Sequence, residues 1–295
     1  MISEISSIRK IATGRITDKA AGEKPEANKV APSSPIGIFD SGVGGLTVLA
    51  EIMRQLPHED IIYFADTARV PYGNRPPEEI VKINEEIIPY LIDHGAKLIV
   101  MACGTSSAIA YPVLKDRYKV HLINLIMPGS KAALEATKTG KIGVMATVGT
   151  VNSGAYQEIL RSLRPDLEVT AVACPLFVPL IERGLTETDE TRQVIKEYLK
   201  PLKAAGVDTI ILGCTHYPHL ARLIQEQAGQ SVKLVDPAEE TARETKKLLK
   251  DLGTLKPLNS IAKHEYLVTG PLNQFLEVGS RLLGRPITHA KHVIM

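Results

Sequence analysis

Between Pro35 and Gly284 the apolar positions alternate between short β-branched runs and longer stretches with a period near 3.6, the pattern of strands and helices in turn. IGIFD (36–40), DIIYFAD (60–66), KLIVMAC (97–103) and HLINLI (121–126) read as four buried strands. Helices are expected over 46–56 and 78–93, with another starting near Ser106. A second series follows: KIGVMAT (141–147), a helix over 152–163, EVTAVAC (168–174), a helix over 188–204 and TIILGC (209–214). The rest, LVD (234–236), a helix over 238–251, HEYLVTG (264–270) and a helix over 271–283, is expected to complete the sheet of the first half. Such alternation implies an α/β protein with mostly parallel sheets covered on both faces and ligands at the carboxyl ends of the strands.

The two series share landmarks. KLIVMACGTSS (97–107) and TIILGCTHYP (209–218) each run from apolar residues through one small residue to a cysteine, with a threonine close behind. Cys103 and Cys214 lie 111 residues apart, while the opening strands, at Ile36 and Ile142, lie 106 apart and both end in turns of small and hydroxyl residues, DSGVGG and TVGTVNSG. Two landmarks at nearly one offset point to a duplicated α/β unit whose cysteines occupy matching places.

Residues 1–34 differ. Ile2, Ile5, Ile8 and Ile11 suggest a short amphipathic helix ending near Gly14, and the polar stretch 15–34 reads as a flexible tether. Glu4, Asp18, Glu23 and Glu26 set it apart from acid-poor transit peptides. The expected organisation is an extension (1–34), a first α/β domain (35–127 with 235–295) and a second (128–234).

Composition removes several classes. A net charge of +2 with both signs interspersed, and 4% aromatics without tryptophan, argue against a nucleic-acid or membrane surface. No run is long and apolar enough to cross a bilayer. Three cysteines make no disulfide framework and fit the cytoplasm. SGVGG lacks the GxGxxG spacing and no GK[ST] occurs, so the glycines are expected to let backbone approach a small anion such as a carboxylate. Asp40 and Ser41 sit at that strand end, where a structural cap is the competing reading. Cys174, before Pro175, reads as inert core, and without CxxC or HxxxH spacing no metal site is expected.

Cys103 and Cys214 each fall between a strand and a helix, and a helix N-terminus is expected to lower a thiol's pKa. His216 is a possible proton partner two residues from Cys214. Two thiols facing across a cleft can serve as base and acid on opposite faces of one carbon, which inverts it.

IGIFDSGVGGLTVL, DTARVPYG, MACGTSSA, VNSGAYQ, CPLFVPLIE and ILGCTHYP, in that order, resemble the glutamate racemase family, and the likeness spans almost all of 35–284. The resemblance implies two pseudosymmetric three-layer α/β domains with the active site in the cleft between them. It also implies a cofactor-independent racemase, with glutamate as its small-molecule partner, supplying D-glutamate for peptidoglycan, and the expected form is a cytoplasmic homodimer. Carried over residue by residue, Cys103 would be the base for the D-enantiomer and Cys214 for the L-enantiomer, assisted by Asp40, Glu182 and His216. Ser41, Tyr72, Gly73, Gly104, Thr105, Thr147, Thr150 and Thr215 would hold substrate together with Asp40 and His216. Asp66 matches a carboxylate with an auxiliary role, or is structural. The chain departs from the family pattern at Gly104, where an Asn is usual and only a backbone N–H remains, at Ala65 in place of Gly, and at Met127 in place of Glu. The alternatives are a related cysteine-pair racemase acting on aspartate or another small acid, and a non-catalytic regulatory homologue.

Overall fold

The computed structural model describes residues 31–295. The helix expected near Ile2–Ile11 lies outside them. All the strands expected from apolar runs form: β1 (Ile36–Asp40), β2 (Ile61–Ala65), β3 (Leu98–Met101), β4 (His121–Ile123), β5 (Lys141–Ala146), β6 (Glu168–Ala173), β7 (Thr209–Leu212), β8 (Lys233–Val235) and β9 (His264–Val268). A two-residue strand, β10 (Lys291–His292), follows. Every pairing is parallel, in a sheet ordered β10-β9-β2-β1-β3-β4 and a second ordered β6-β5-β7-β8. The run β2-β1-β3-β4 is matched position for position by β6-β5-β7-β8, so the duplication seen in the sequence is a duplication of topology.

The helices are α1 (Leu46–Gln55), α2 (Pro77–Asp93), α3 (Gly104–Ile109), α4 (Tyr111–Leu114), α5 (Ile126–Ala136), α6 (Val148–Ser153), α7 (Ala155–Leu163), α8 (Phe177–Glu182), α9 (Asp189–Ala204), α10 (Ala221–Ala228), α11 (Pro237–Asp251) and α12 (Leu272–Leu283). Alternate strand residues feed opposite faces, as the two-residue period of a strand requires. Ile36, Ile38, Tyr63 and Val100 pack with residues of α1, α11 and α12, whereas Phe39, Phe64, Ile99 and Met101 pack with the isoleucines of α2. In the second sheet Met145, Ile210 and Leu212 join α9 and α10, and Ile142, Val144 and Ile211 join α5 and α7. Burial on both faces explains why these strands are unbroken apolar runs.

Four expectations are corrected. The strand 234–236 was expected in the first sheet, but β8 pairs with β7, Leu234 opposite Ile210 and Val235 opposite Ile211, because it closes the second β-α-β series as β4 closes the first. The strand at 121–126 stops at Ile123: the Asn124 side chain accepts from the amides of Ile126 (2.8 Å) and Met127 (3.1 Å) and starts α5. The helix over 152–163 is two helices, broken at Gly154, whose φ of 70° is the left-handed region. The helix after Cys103 begins at Gly104, two residues before Ser106.

One buried ion pair ties the bottom of the first sheet together. Lys97 Nζ lies 2.5 Å from Glu59 Oε2, with side-chain exposures of 0% and 2%, and also donates to the carbonyls of Pro32 and Thr254 at 2.9 Å. Glu59 accepts in turn from the Lys256 amide at 2.8 Å. Lys97→Met would strand a buried carboxylate, and equilibrium denaturation is expected to show a loss of about 3 kcal/mol with the activity of the folded fraction intact. A loss below about 1 kcal/mol, the worth of a surface pair, would contradict this role.

Candidate active site between the two sheets

Parallel register brings the strand ends into two facing rows. In the first sheet Asp40 ends β1 opposite Ala65, and Cys103 follows β3; in the second Thr147 follows β5, and Cys214 follows β7. The loops after β3 and β7 touch: a Cβ built on Gly104 would lie 2.5 Å from the Gly213 carbonyl oxygen and 3.8 Å from the Cys214 Cα. A side chain at 104, where the family pattern has Asn, would require this contact between the cysteine loops to shift.

The same closeness recurs around the site. A Cβ on Gly44 would meet His216 Nδ1 at 2.3 Å and Thr215 Oγ1 at 2.6 Å, and one on Gly45 would meet the Asp40 Cβ at 2.6 Å. Gly44 and Gly45 thus make room for protein side chains of both sheets. Thr47 Oγ1 donates to the Thr215 carbonyl at 3.0 Å, fastening α1 to the second cysteine loop. Gly73 backs onto Thr147, a built Cβ lying 2.9 Å from the Thr147 Cβ. Thr105, Thr147 and Thr150 form a hydroxyl chain with 3.0 Å steps, in which Thr147 also caps α6.

Cys214 is served by a relay. Its sulfur lies 3.9 Å from His216 Nδ1, and His216 Nε2 donates to Glu182 Oε1 at 2.9 Å from the end of α8. Burial opposes a charge on His216, yet its contacts with Cys214 and Glu182 outweigh burial and raise its pKa to about 10. Asp40 is buried and accepts from the Gly42 and Gly45 amides, both at 3.0 Å. Burial lifts its carboxyl above the usual carboxylate range, against the pull of His216 and of those amides.

Cys103 departs from expectation. Burial, reinforced by the charge of Asp40, pushes its thiol up to about 12, although the backbone N–H and hydroxyl of Ser106 favour the thiolate. The short helix that follows does not offset the loss of solvation.

Asp40, Tyr72, Gly73, Cys103, Gly104, Thr105, Thr147, Thr150, Glu182, Cys214, Thr215 and His216 are therefore joined through one set of contacts; Ser41 sits beside them and turns its amide to Asp40. The Tyr72 hydroxyl is engaged by Asp66 Oδ2 at 2.5 Å, and Asp66 also accepts from Arg69 (2.6 Å) and Thr269 (2.8 Å), so Asp66 holds Tyr72 and the loop after β2. A cavity of about 290 Å³ beside Asp66, lined by Arg69, Thr269 and His292, touches neither Cys103 nor Cys214. Cys174 is buried core, as expected. The sequence reading did not single out Thr47 or Asn84, whose partners Thr215 and Ser106 lie far along the chain.

Comparison with known proteins decides the family. The description Asp/Glu/Hydantoin racemase matches residues 36–245. The chain belongs to that family. A glutamate racemase of Geobacter metallireducens is 47% identical over 86% of this chain and 94% of its own length. Among solved structures, a glutamate racemase isoform of Bacillus anthracis is 40% identical and superposes with a TM-score of 0.85, covering 89% of this chain and 98% of that one. The glutamate racemase of Francisella tularensis, in complex with D-glutamate, is 35% identical with a TM-score of 0.84 over 89% and 98%. The two-lobed arrangement of parallel sheets described above is the fold of these racemases.

Glu182→Gln tests the relay. Because the folded pKa of His216 is raised, its charge adds stability that is complete below its ordinary pKa of about 6.5 and is lost as pH rises through about 10. Removing the carboxylate partner is expected to start that loss at lower pH, and nitrogen NMR of the imidazole should show its titration moving down. An unmoved titration would contradict the relay.

Proposed function

We propose that this chain is a glutamate racemase that interconverts L- and D-glutamate by a two-thiol, two-base route and so supplies D-glutamate for peptidoglycan. The observation that carries the reading is the contact of the two cysteine loops, Gly104 against Gly213 and Cys214, at matching ends of two matching sheets. With glutamate between the loops, one thiolate takes the Cα proton from one face and the other thiol gives its proton to the opposite face. The electron pair left at Cα is delocalised into the α-carboxylate, then captures the second proton, and the configuration inverts.

Cys214 is the base toward L-glutamate and Cys103 toward D-glutamate. His216, held by Glu182 and carrying its proton, stabilises the Cys214 thiolate as an imidazolium, and Asp40 orients the substrate ammonium beside Cys103. That ammonium also supplies the positive charge a buried Cys103 thiolate lacks. The hydroxyls of Ser41, Thr147, Thr150 and Thr215 and the backbone N–H groups of Tyr72, Gly73, Gly104 and Thr105 bind the two carboxylates, the Tyr72 hydroxyl being held by Asp66. We take the lobes as domains divided near residues 128 and 235. The assembly we expect is a homodimer in the cytoplasm, where reducing conditions keep these thiols free.

Replacing either thiol by Ser keeps size and hydrogen bonding but raises the pKa of the base far out of range, so racemisation is expected to fall by about three orders of magnitude or more. A glutamate analogue with a leaving group at Cβ separates the two bases, since one deprotonation suffices for elimination. Cys103→Ser is expected to eliminate from one enantiomer only and Cys214→Ser from the other. Elimination from the same enantiomer by both variants, or racemisation near the parent rate by either, would overturn the reading.

A further inference from the structure

Cys214 has a histidine and a glutamate behind it, whereas Cys103 has no such relay. The titratable groups facing the Cys103 sulfur are Asp40 after β1, Cys214 after β7, Tyr63 on β2 and Tyr72 in the loop after β2. Asp40 and Cys214 can only add negative charge, and burial keeps both tyrosines neutral. Apart from the substrate ammonium, a thiolate there is left to be met by the protein's dipoles.

Ser106 provides them. Cys103 is the residue before α3 and Ser106 is the third residue of that helix; the Cys103 side chain makes no capping hydrogen bond to this turn, but the Ser106 N–H and hydroxyl stand where they favour a thiolate on Cys103. Ser106 is fully buried, and its hydroxyl accepts a hydrogen bond from Asn84 Nδ2 at 3.2 Å, which turns its own O–H away from α2. Asn84 is the unusual member of this set. It lies at 0% exposure on a face of α2 otherwise made of Ile80, Ile83, Ile87, Ile88 and Leu91, and its second Nδ2 hydrogen goes to the Ile80 carbonyl at 2.7 Å. Its Oδ1 is buried without a partner. Burying an amide with an unpaired oxygen costs about 1–3 kcal/mol, and packing gives no reason for it, since an aliphatic side chain would complete the face.

We propose that Ser106, held by Asn84, is a positioning residue for the Cys103 base: its amide and hydroxyl face the sulfur and stabilise the thiolate that forms during turnover. The inference rests on the two-base reading and adds a third element to it, a neutral relay on the Cys103 side opposite the charged His216–Glu182 relay on the Cys214 side. The two bases are thus tuned by different means in the two halves, although the strands that carry them are duplicates.

For a racemase the equilibrium constant is unity, so kcat/KM must be equal in both directions and cannot separate the two bases. Irreversible elimination from each enantiomer of the Cβ-substituted glutamate can. In Ser106→Ala, elimination from the enantiomer that needs Cys103 is expected to fall at least about tenfold, the worth of one hydrogen bond to a charged group. Its acid limb should move to higher pH. Elimination from the other enantiomer should keep both its rate and its pH profile. Asn84→Leu is expected to shift the same limb in the same direction, and should it fail to fold, Ser106→Ala decides alone. Equal losses for both enantiomers, or an unmoved limb, would overturn the inference. The parent reading is scored separately in the same assay: if Cys103→Ser does not abolish elimination from one enantiomer, the two-base scheme itself fails, whereas if it does and Ser106→Ala changes nothing, only the Ser106 relay fails.

Discussion

The site depends on how closely two strand-end loops approach. Gly104 has no room for a side chain because the Gly213 carbonyl occupies it, and Gly213 is confined in turn, a built Cβ lying 3.0 Å from the Tyr156 ring and 3.1 Å from the Ala146 Cβ. Two glycines at equivalent ends of equivalent sheets let backbone meet backbone, and this brings the cysteines beside them within electrostatic reach of one another. The remaining contacts follow from that spacing: Gly44 yields to His216, Gly73 yields to Thr147, and Thr105 reaches the hydroxyl chain of the other lobe. A side chain at Gly104, Gly44 or Gly73 would run into the opposite lobe, and one at Gly213 into its own.

Burial then sets the chemistry. Asp40, Cys103, Cys214 and His216 all have less than a tenth of their surface exposed, so each charge depends on its neighbours for solvation. On the Cys214 side the balance favours a charged imidazolium between sulfur and carboxylate. On the Cys103 side it favours the neutral thiol. In the proposed reaction the substrate ammonium redresses that difference, so the base toward D-glutamate is made ready by the molecule it acts on.

Much of this was legible in the sequence. The apolar runs located the strands because central strands of a doubly covered parallel sheet must be apolar on both faces, and the repeated cysteine offset exposed the duplication. Other features were hidden for physical reasons. Helix α8 carries Pro179 close behind Pro175, and α5 carries Pro128 and Gly129, residues that read as breakers although the first turn of a helix tolerates proline. The sheet that takes up β8 cannot be read from three residues. A glycine run signals that something comes close without saying what, so the seats that Gly44 and Gly45 give to His216 and Asp40 were not legible in SGVGG. Asn84 and Ser106 meet from elements 22 positions apart, and the cost of burying Cys103 exists only once the lobes have closed over it.

The central claim is that two different protein groups handle the two faces of Cα. Isotope exchange early in the reaction reads this directly. With L-glutamate in deuterium oxide, the first D-glutamate formed is expected to carry deuterium at Cα, because its proton comes from a second thiol equilibrated with solvent, while recovered L-glutamate keeps its protium. Protium carried over into the D-product, or deuterium entering recovered L-glutamate as fast as product forms, would mean that one group serves both faces and would contradict the account.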